Sequence, residues 1–363
     1  MIQTSFVIDF SPANNPHVYD FSAPVDLKKF VLEDPLFLEL VGTSAFRRLS
    51  EIRFLGGIDY LIVRSPNGYA NNIRYTRFQH SLGVARLALM YSHACELSVT
   101  DRRLVFTAAL LHDIGHAPLS HSLEPAFFRL FGIDHHQATR DILRGHVPIG
   151  RELYKLLRSR QVDIDRLTAM IAGEDDRFHG FFSGPINFDT IEGILRTKTY
   201  AQSTPSVAAP ELIVDAAVNR SSPAHRELVD QFWKSKDLVY RHVINSDSGV
   251  LADQVCQSFL YQNRSYVQAT DYFTTEEQLF RKLPGLRQLL ISPDFASQAS
   301  LHVPETVSFR RRRFFVDEAV DFFERNDRAR YSQTKELASL TVRLAEFQGR
   351  PPLTGDLFGD GSD

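Results

Sequence analysis

Leu110-Leu111-His112-Asp113-Ile114-Gly115-His116 is the stretch on which the reading of this chain turns. Leu104, Phe106, Ala108, Leu110 and Leu111 lead into it with the spacing of a buried helix, and Thr100 or Asp101 is placed to cap its start. Gly115 and Pro118 then stop the helix. His112 and Asp113 therefore project from its end, and His116 falls on the turn beyond. An adjacent His-Asp pair alone is most often a hydrogen-bonded helix terminus. The surroundings change that reading: seven of the 13 histidines lie from His80 to His136, five of them between His112 and His136. Buried imidazoles at that density are costly unless metal ions, protons or acidic partners satisfy them.

Upstream, Leu82, Val84, Ala85, Leu87, Ala88, Met90, Tyr91 and Ala94 give a buried helix from Ser81 to about Leu97. Asp34-Pro35 opens an earlier helix carrying Leu36, Leu38, Leu40 and Val41, and Phe46-Arg47-Arg48-Leu49 begins a short one that ends near Gly56-Gly57. Asn67-Gly68 marks a hairpin. Downstream, Asp134 with Gln137 resembles a capping box that puts His135 and His136 in a first helical turn. Residues 151–172 are helical, Gly173 to Gly184 is a polar loop, and Phe188 to about Arg196 is helical again. Residues 211–219 and 226–262 read as helices, and Ser308 to Val316 as a strand followed by an amphipathic helix. The expected fold is mainly α with minor β. Its divisions are an N-terminal segment 1–33, the domain 34–262 that bears the histidines, a C-terminal α+β subregion 263–348 packed on it, and a disordered tail 349–363.

The 363 residues are 43% hydrophobic and 11% aromatic, enough for a sizeable core. A net charge of −3 gives no basic excess, so nucleic acid is not the expected partner. Cys95 and Cys256 form no CxxC pair, which argues against a disulfide framework or zinc ribbon and suits a reducing cytoplasm. The N-terminus has no signal-peptide pattern, and no apolar run approaches the ~20 residues of a membrane span.

Arg77-Phe78-Gln79-His80-Ser81-Leu82-Gly83-Val84 and His112-Asp113-Ile114-Gly115-His116-Ala117-Pro118-Leu119-Ser120-His121 together resemble the HD-domain deoxynucleoside triphosphate triphosphohydrolases. The resemblance extends weakly from about Asp34 to Ser258. It implies an HD-domain helical bundle with a metal held by His80, His112, Asp113 and Asp189. Asp189 lies in Phe188-Asp189-Thr190-Ile191-Glu192-Gly193-Ile194-Leu195-Arg196, which resembles the family's V-D-x-x-D-Y-x-x-R-D segment less closely. Two imidazoles and two carboxylates suit Mn, Fe, Co, Ni or Zn better than an all-oxygen Mg site, although Mg is compatible. The resemblance also implies that His116 and His135 face the phosphate. His135 is then the general acid, with Glu124 holding its imidazole where the family has Asp. With two ions, His116 and His135 become ligands of the second. His121 and His136 stay open between a core role and a direct one. Arg77 is placed to contact a phosphate oxygen. Val239-Tyr240-Arg241-His242 resembles the family's later Tyr-x-His segment, so Tyr240 and His242 are expected to line the phosphate pocket, with Lys234, Lys236 or Arg241 adding charge.

Four departures fall together. Phe54-Leu55-Gly56 replaces Gln-Leu-Gly, Thr190 replaces Lys, Glu192-Gly193 replaces Asp-Tyr, and Arg196-Thr197 replaces Arg-Asp. The replaced groups hold the deoxyribose and a phosphate in the family. The metal and hydrolytic parts are thus kept while the substrate-reading parts have changed, and Gly193 is expected to enlarge the pocket. The implied enzyme is a metal-dependent phosphohydrolase of nucleotides, with metal-activated water attacking a phosphoryl group and releasing triphosphate. A phosphatase removing orthophosphate stepwise is the alternative; a di-iron HD oxygenase and a non-catalytic nucleotide sensor are remote ones. Arg310-Arg311-Arg312-Arg313, flanked by Phe309, Phe314 and Phe315, suits an anion, an effector nucleotide or single strands. As a strand its arginines alternate faces, so a solvated or subunit-interface strand is the expectation. A cytoplasmic homo-oligomer is implied by analogy.

Overall fold

The Asp34 carboxylate accepts from Leu36 N at 3.0 Å and Pro35 fills the first helical position, so α1 (Pro35–Gly42) begins where its sequence cap lies. The computed structural model describes residues 34–61, 75–178, 180–182, 184, 186–201, 208–219, 222–320 and 330–342. The expected N-terminal segment, the Asn67-Gly68 hairpin and the tail lie outside them.

After α2 (Ser44–Arg48) and α3 (Ile58–Leu61) comes α4 (Arg77–Ala94), started by a full capping box between Thr76 and Gln79. Arg77 N donates to Ile52 O at 2.9 Å and Phe54 N to Tyr75 O at 3.1 Å, which pins the start of α4 beside residues 52–54. Helix α4 packs along α5 (Val99–Leu111) through small and apolar residues such as Ala85, Ala88, Ala108 and Leu111, all buried. The cap of α5 is Ser98, not Thr100 or Asp101. Ser98 Oγ accepts from Asp101 N, while the Asp101 carboxylate pairs with Arg177 at 2.7 Å. The Ser98 hydroxyl also donates to the Asp101 carboxylate at 2.7 Å.

The chain continues through α6 (Glu124–Phe131), α7 (His135–Leu143), α8 (Arg151–Ser159) and α9 (Ile164–Ala172). The single helix expected over 151–172 is two, because Gln161 takes a left-handed φ of 55° and Asp163 caps α9. Then come α10 (Phe188–Ala201), α11 (Pro210–Asn219), α12 (Pro223–Val239), a π-turn (Tyr240–Ile244) and α13 (Asp247–Gln262). The helix expected over 226–262 is therefore interrupted, and Ser246 starts α13 by accepting from Gly249 N at 3.1 Å. Short helices α14 (Glu276–Lys282), α15 (Pro284–Leu290) and α16 (Phe295–Ala299) lead to strand β1 (Thr306–Val316).

The amphipathic helix expected after Val316 falls largely on residues 321–329, outside the described residues; beyond them β2 (Tyr331–Thr341) pairs antiparallel with β1 from Thr306↔Thr341 to Val316↔Tyr331. Lys335-Glu336-Leu337-Ala338 favours a helix locally, but pairing along eleven residues overrides that preference. Two carboxylates of α12 dock the sheet. Asp237 accepts from Phe314 N and Arg313 Nε, and Asp230 accepts from Tyr331 OH and Arg330. Phe314 and Tyr331 pack on Trp233 within the main hydrophobic cluster. The helix α5 and Ile114 belong to that cluster, whereas Ala117, Leu119 and Leu123 belong to a second one with Phe127, Tyr272 and Leu286. The His-Asp turn thus lies at the junction of two packed bodies, which fixes its backbone on both sides. Among the described residues no helix is long and apolar enough to cross a membrane.

Candidate metal centre

His80 comes from the first turn of α4, His112 from the C-cap of α5, Asp113 from the next position and Asp189 from the first turn of α10. One ligand atom each of His80, His112 and Asp113 lie within 4.8 Å of one another. Asp189 Oδ1 is 3.0 Å from His80 Nε2 and 3.9 Å from His112 Nε2. Asp189 of α10 meets the His80 and Asp113 side chains although α10 lies far from α4 and α5 in sequence.

The donor set fits a divalent ion on a specific observation. His112 Nδ1 is 2.8 Å from Ala109 O, so it carries the proton, and Nε2 presents a lone pair that is buried without a hydrogen-bond partner. His80 Nδ1 is 2.5 Å from Glu192 Oε2, which turns Nε2 toward Asp189 and Asp113. Two imidazole nitrogens and two carboxylates then converge, as a transition ion requires. Burial opposes charge on His80, yet Glu192, Asp189 and Asp113 around it raise its pKa to about 9. Burial likewise opposes ionised Asp113, but His112, Arg77 and His116 hold it well below the usual carboxylate range.

Glu192 was legible and was read only as a departure. It stands three residues after Asp189, on the same helical face. Arg196 Nε donates to its other oxygen at 2.8 Å. Gly83 is needed for this approach, since a Cβ there would sit 2.2 Å from Glu192 Oε1. Glu192 therefore orients the His80 ring and is engaged on both oxygens. Thr190 and Asn187 cap α10 reciprocally, with Thr190 N donating to Asn187 Oδ1 at 2.8 Å and Asn187 N to Thr190 Oγ1 at 2.9 Å. Thr197 Oγ1 donates to Gly193 O at 2.7 Å. The enlarged pocket expected at Gly193 is corrected by Phe54, whose Cζ would lie 3.2 Å from a Cβ on Gly193. The Phe54 ring stands 4.6 Å from the His80 ring and under the Arg77 guanidinium, so two of the departures compensate each other in volume.

Arg77 is buried, with Nη1 on Asp113 Oδ2 at 2.8 Å and Nε on Ser120 Oγ at 3.0 Å. Beside it lies a second cluster. Glu124 takes His135 Nδ1 at 2.6 Å and His121 Nδ1 at 3.0 Å. His116 stacks parallel to His135 at 4.9 Å, and His136 packs at 4.0 Å from His135. His116 Nε2 is 3.1 Å from Asp113 Oδ1, leaving Nδ1 buried and unbonded. Burial and Arg77 push His116 well below the ordinary histidine pKa. For His135 burial acts downward too, but Glu124 raises it above the ordinary value. Tyr240 packs on Phe314 at 4.9 Å; burial, Arg241 and Arg313 lower the His242 pKa, and Asp237 acts in the opposite sense. On α12, Lys236 lies over Trp233 and Phe314; burial lowers it to about 7, and Asp189 acts on it in the opposite sense.

Residues 77–178 match the family model of the HD domain. His80, His112 and Asp113 lie inside that match and Asp189 beyond it. The chain is 30% identical over 174 residues to the uncharacterized protein YwfO of Bacillus subtilis, covering 47% of this chain and 37% of that one. It is 38% identical over 103 residues to the deoxynucleoside triphosphate triphosphohydrolase SAMHD1 of Homo sapiens, covering 26% of this chain and 15% of that one. The chain therefore spans well under two thirds of the length of these relatives. A solved structure of a hypothetical protein from Aquifex aeolicus shares the fold with a TM-score of 0.62 and 17% identity, over 87% of this chain and 97% of that one.

Proposed function

We propose that this chain is a metal-dependent phosphohydrolase of nucleotides, acting on deoxynucleoside triphosphates or close relatives and releasing triphosphate. The bare, buried Nε2 of His112, converging with His80, Asp113 and Asp189 beside the Glu124–His135 pair, carries the reading. A divalent ion held by those four residues would supply an activated water and neutralise phosphoryl charge.

The residues of this chain then divide the work. Glu192 and the Ala109 carbonyl fix which nitrogens His80 and His112 present. Arg77 holds Asp113 and keeps positive charge beside the reacting phosphate. As water oxygen bonds to phosphorus and the phosphorus–oxygen bond to the leaving group breaks, His135 supplies the proton that the leaving oxygen needs. Its Nδ1 is taken by Glu124, so Nε2 is the donor. His116 is unsuited to donate because its low pKa keeps it neutral.

His135→Asn is expected to lower kcat by about 10²–10⁴-fold while Mn²⁺ still binds, which a parallel titration checks. Because Glu124 raises the His135 pKa, the wild-type kcat should fall as pH rises through that elevated value. A profile with no such basic limb would remove His135 as the acid. A second reading adds an ion at His116, His121 and Glu124, whose ligand atoms also lie within 4.8 Å of one another. Two Mn²⁺ bound per chain would favour it.

The test of function is a metal-reconstituted reaction with dNTPs, NTPs and nucleoside monophosphates, with every phosphate product separated. Intact triphosphate plus nucleoside supports the reading. Stepwise orthophosphate would assign the site to terminal phosphates instead, in keeping with the capping role of Thr190.

A further inference from the structure

Residues 274–276 lie outside the HD-domain match, yet they reach the metal centre from behind. Glu276 opens α14 and is 5% exposed. Its Oε1 accepts from Arg53 N at 2.7 Å and from Leu119 N at 3.2 Å. Its Oε2 accepts from the Tyr60 hydroxyl at 2.7 Å, with Arg53 Nε 3.7 Å away. Leu119 and Ser120 both adopt left-handed backbone, φ 59° and 47°, a conformation that side-chain-bearing residues rarely take. Such a pair persists only where surrounding contacts enforce it, and it recurs at functional sites.

The turn has one visible consequence. It puts Ser120 Oγ where it donates to Arg53 O at 2.8 Å and accepts from Arg77 Nε at 3.0 Å. Arg77 then reaches Asp113 Oδ2 at 2.8 Å. Buried Arg48 makes a parallel tie, donating to Ile114 O at 2.8 Å and Thr274 O at 3.3 Å. Gly56 completes the seat, because a Cβ there would meet Leu119 O at 2.2 Å. An unbroken chain of bonds thus runs from the C-terminal region to a ligand carboxylate.

We propose that Glu276 and Ser120 are positioning residues of the metal centre: Glu276 holds the left-handed Leu119–Ser120 turn, Ser120 fixes Arg77, and Arg77 fixes the Asp113 carboxylate. The proposal rests on Asp113 as a metal ligand and not on which substrate is cleaved. Glu276→Gln keeps an oxygen for the Arg53 and Leu119 N–H groups, while its amide nitrogen becomes a donor to the Tyr60 hydroxyl oxygen.

The experiment loads the full chain with Co²⁺ and compares wild type, Glu276→Ala, Glu276→Gln and Ser120→Ala by their visible d–d bands and by Co²⁺ titration. Glu276→Ala and Ser120→Ala are expected to shift the band and weaken Co²⁺ binding by about 10–100-fold, with Glu276→Gln close to wild type. Loss of thermal stability alone, with unchanged band and affinity in both variants, would reduce Glu276 to a core staple and overturn the proposal. Should Glu276→Ala fail to fold, Ser120→Ala decides, since it removes one hydroxyl from the same chain of bonds. If these metal readouts behave as expected but no nucleotide is hydrolysed, the proposed function fails and the positioning role stands.

Discussion

His112→Ala and Asp113→Ala are expected to abolish metal binding and phosphate release together. His112 offers a nitrogen that has no other bond to make, so its removal takes away a ligand without disturbing a competing contact. What is lost beyond the ligand is the bond to Ala109 O and the stacking on Phe182 at 5.8 Å. The variant should stay folded, with the affinity loss exceeding the ~10–100-fold typical when only an outer hydrogen-bond partner is removed. Asp113→Ala is harsher. It leaves Arg77, 4% exposed, without its carboxylate, and breaking a buried ion pair costs about 3–5 kcal/mol. Its melting temperature should fall along with metal affinity, so His112→Ala is the cleaner variant. Wild-type Mn²⁺ affinity and turnover in His112→Ala would sink the assignment of the site.

Glu192→Ala should weaken Mn²⁺ binding by about 10–100-fold, although Glu192 is placed to touch no substrate. It frees the His80 ring and strands Arg196 beside it. The same variant changes the pH dependence of the metal-free protein. A raised His80 pKa gives stability that is fully present below the unfolded imidazole value, about 6.5, and is lost as pH rises through the folded value. In the wild type that loss should run up to about 9. In Glu192→Ala it should shrink, because the largest charge raising the pKa is gone. Thermal melts of both proteins between those pH values measure it; identical curves would show that Glu192 does not set the charge of His80. Metal affinity should rise over the same interval as the competing proton leaves.

The helices around the site were legible because their signals are local. Asp34-Pro35 and Asp134 with Gln137 sit at the observed starts of α1 and α7, and the apolar spacing of α4 and α5 matches their buried faces, although α4 starts at Arg77 and not at the expected Ser81. Reading failed where a backbone detail such as Gln161 broke a helix that the apolar spacing would continue. His112 and Asp113 stood out through the density of histidines around them, whereas His80 and Asp189 entered only through the family resemblance.

The sequence by itself determined a helical chain with a dense histidine cluster at the end of a buried helix, since caps, periods and residue chemistry act over a few residues. Only the tertiary structure decided who holds whom. Glu192 meets His80 across 112 residues, and Glu276 meets Leu119 across 157. Phe54 fills the volume that Gly193 leaves. Such contacts depend on two packed bodies meeting at one turn, and hydrogen bonds between distant segments leave no period in the sequence to be read.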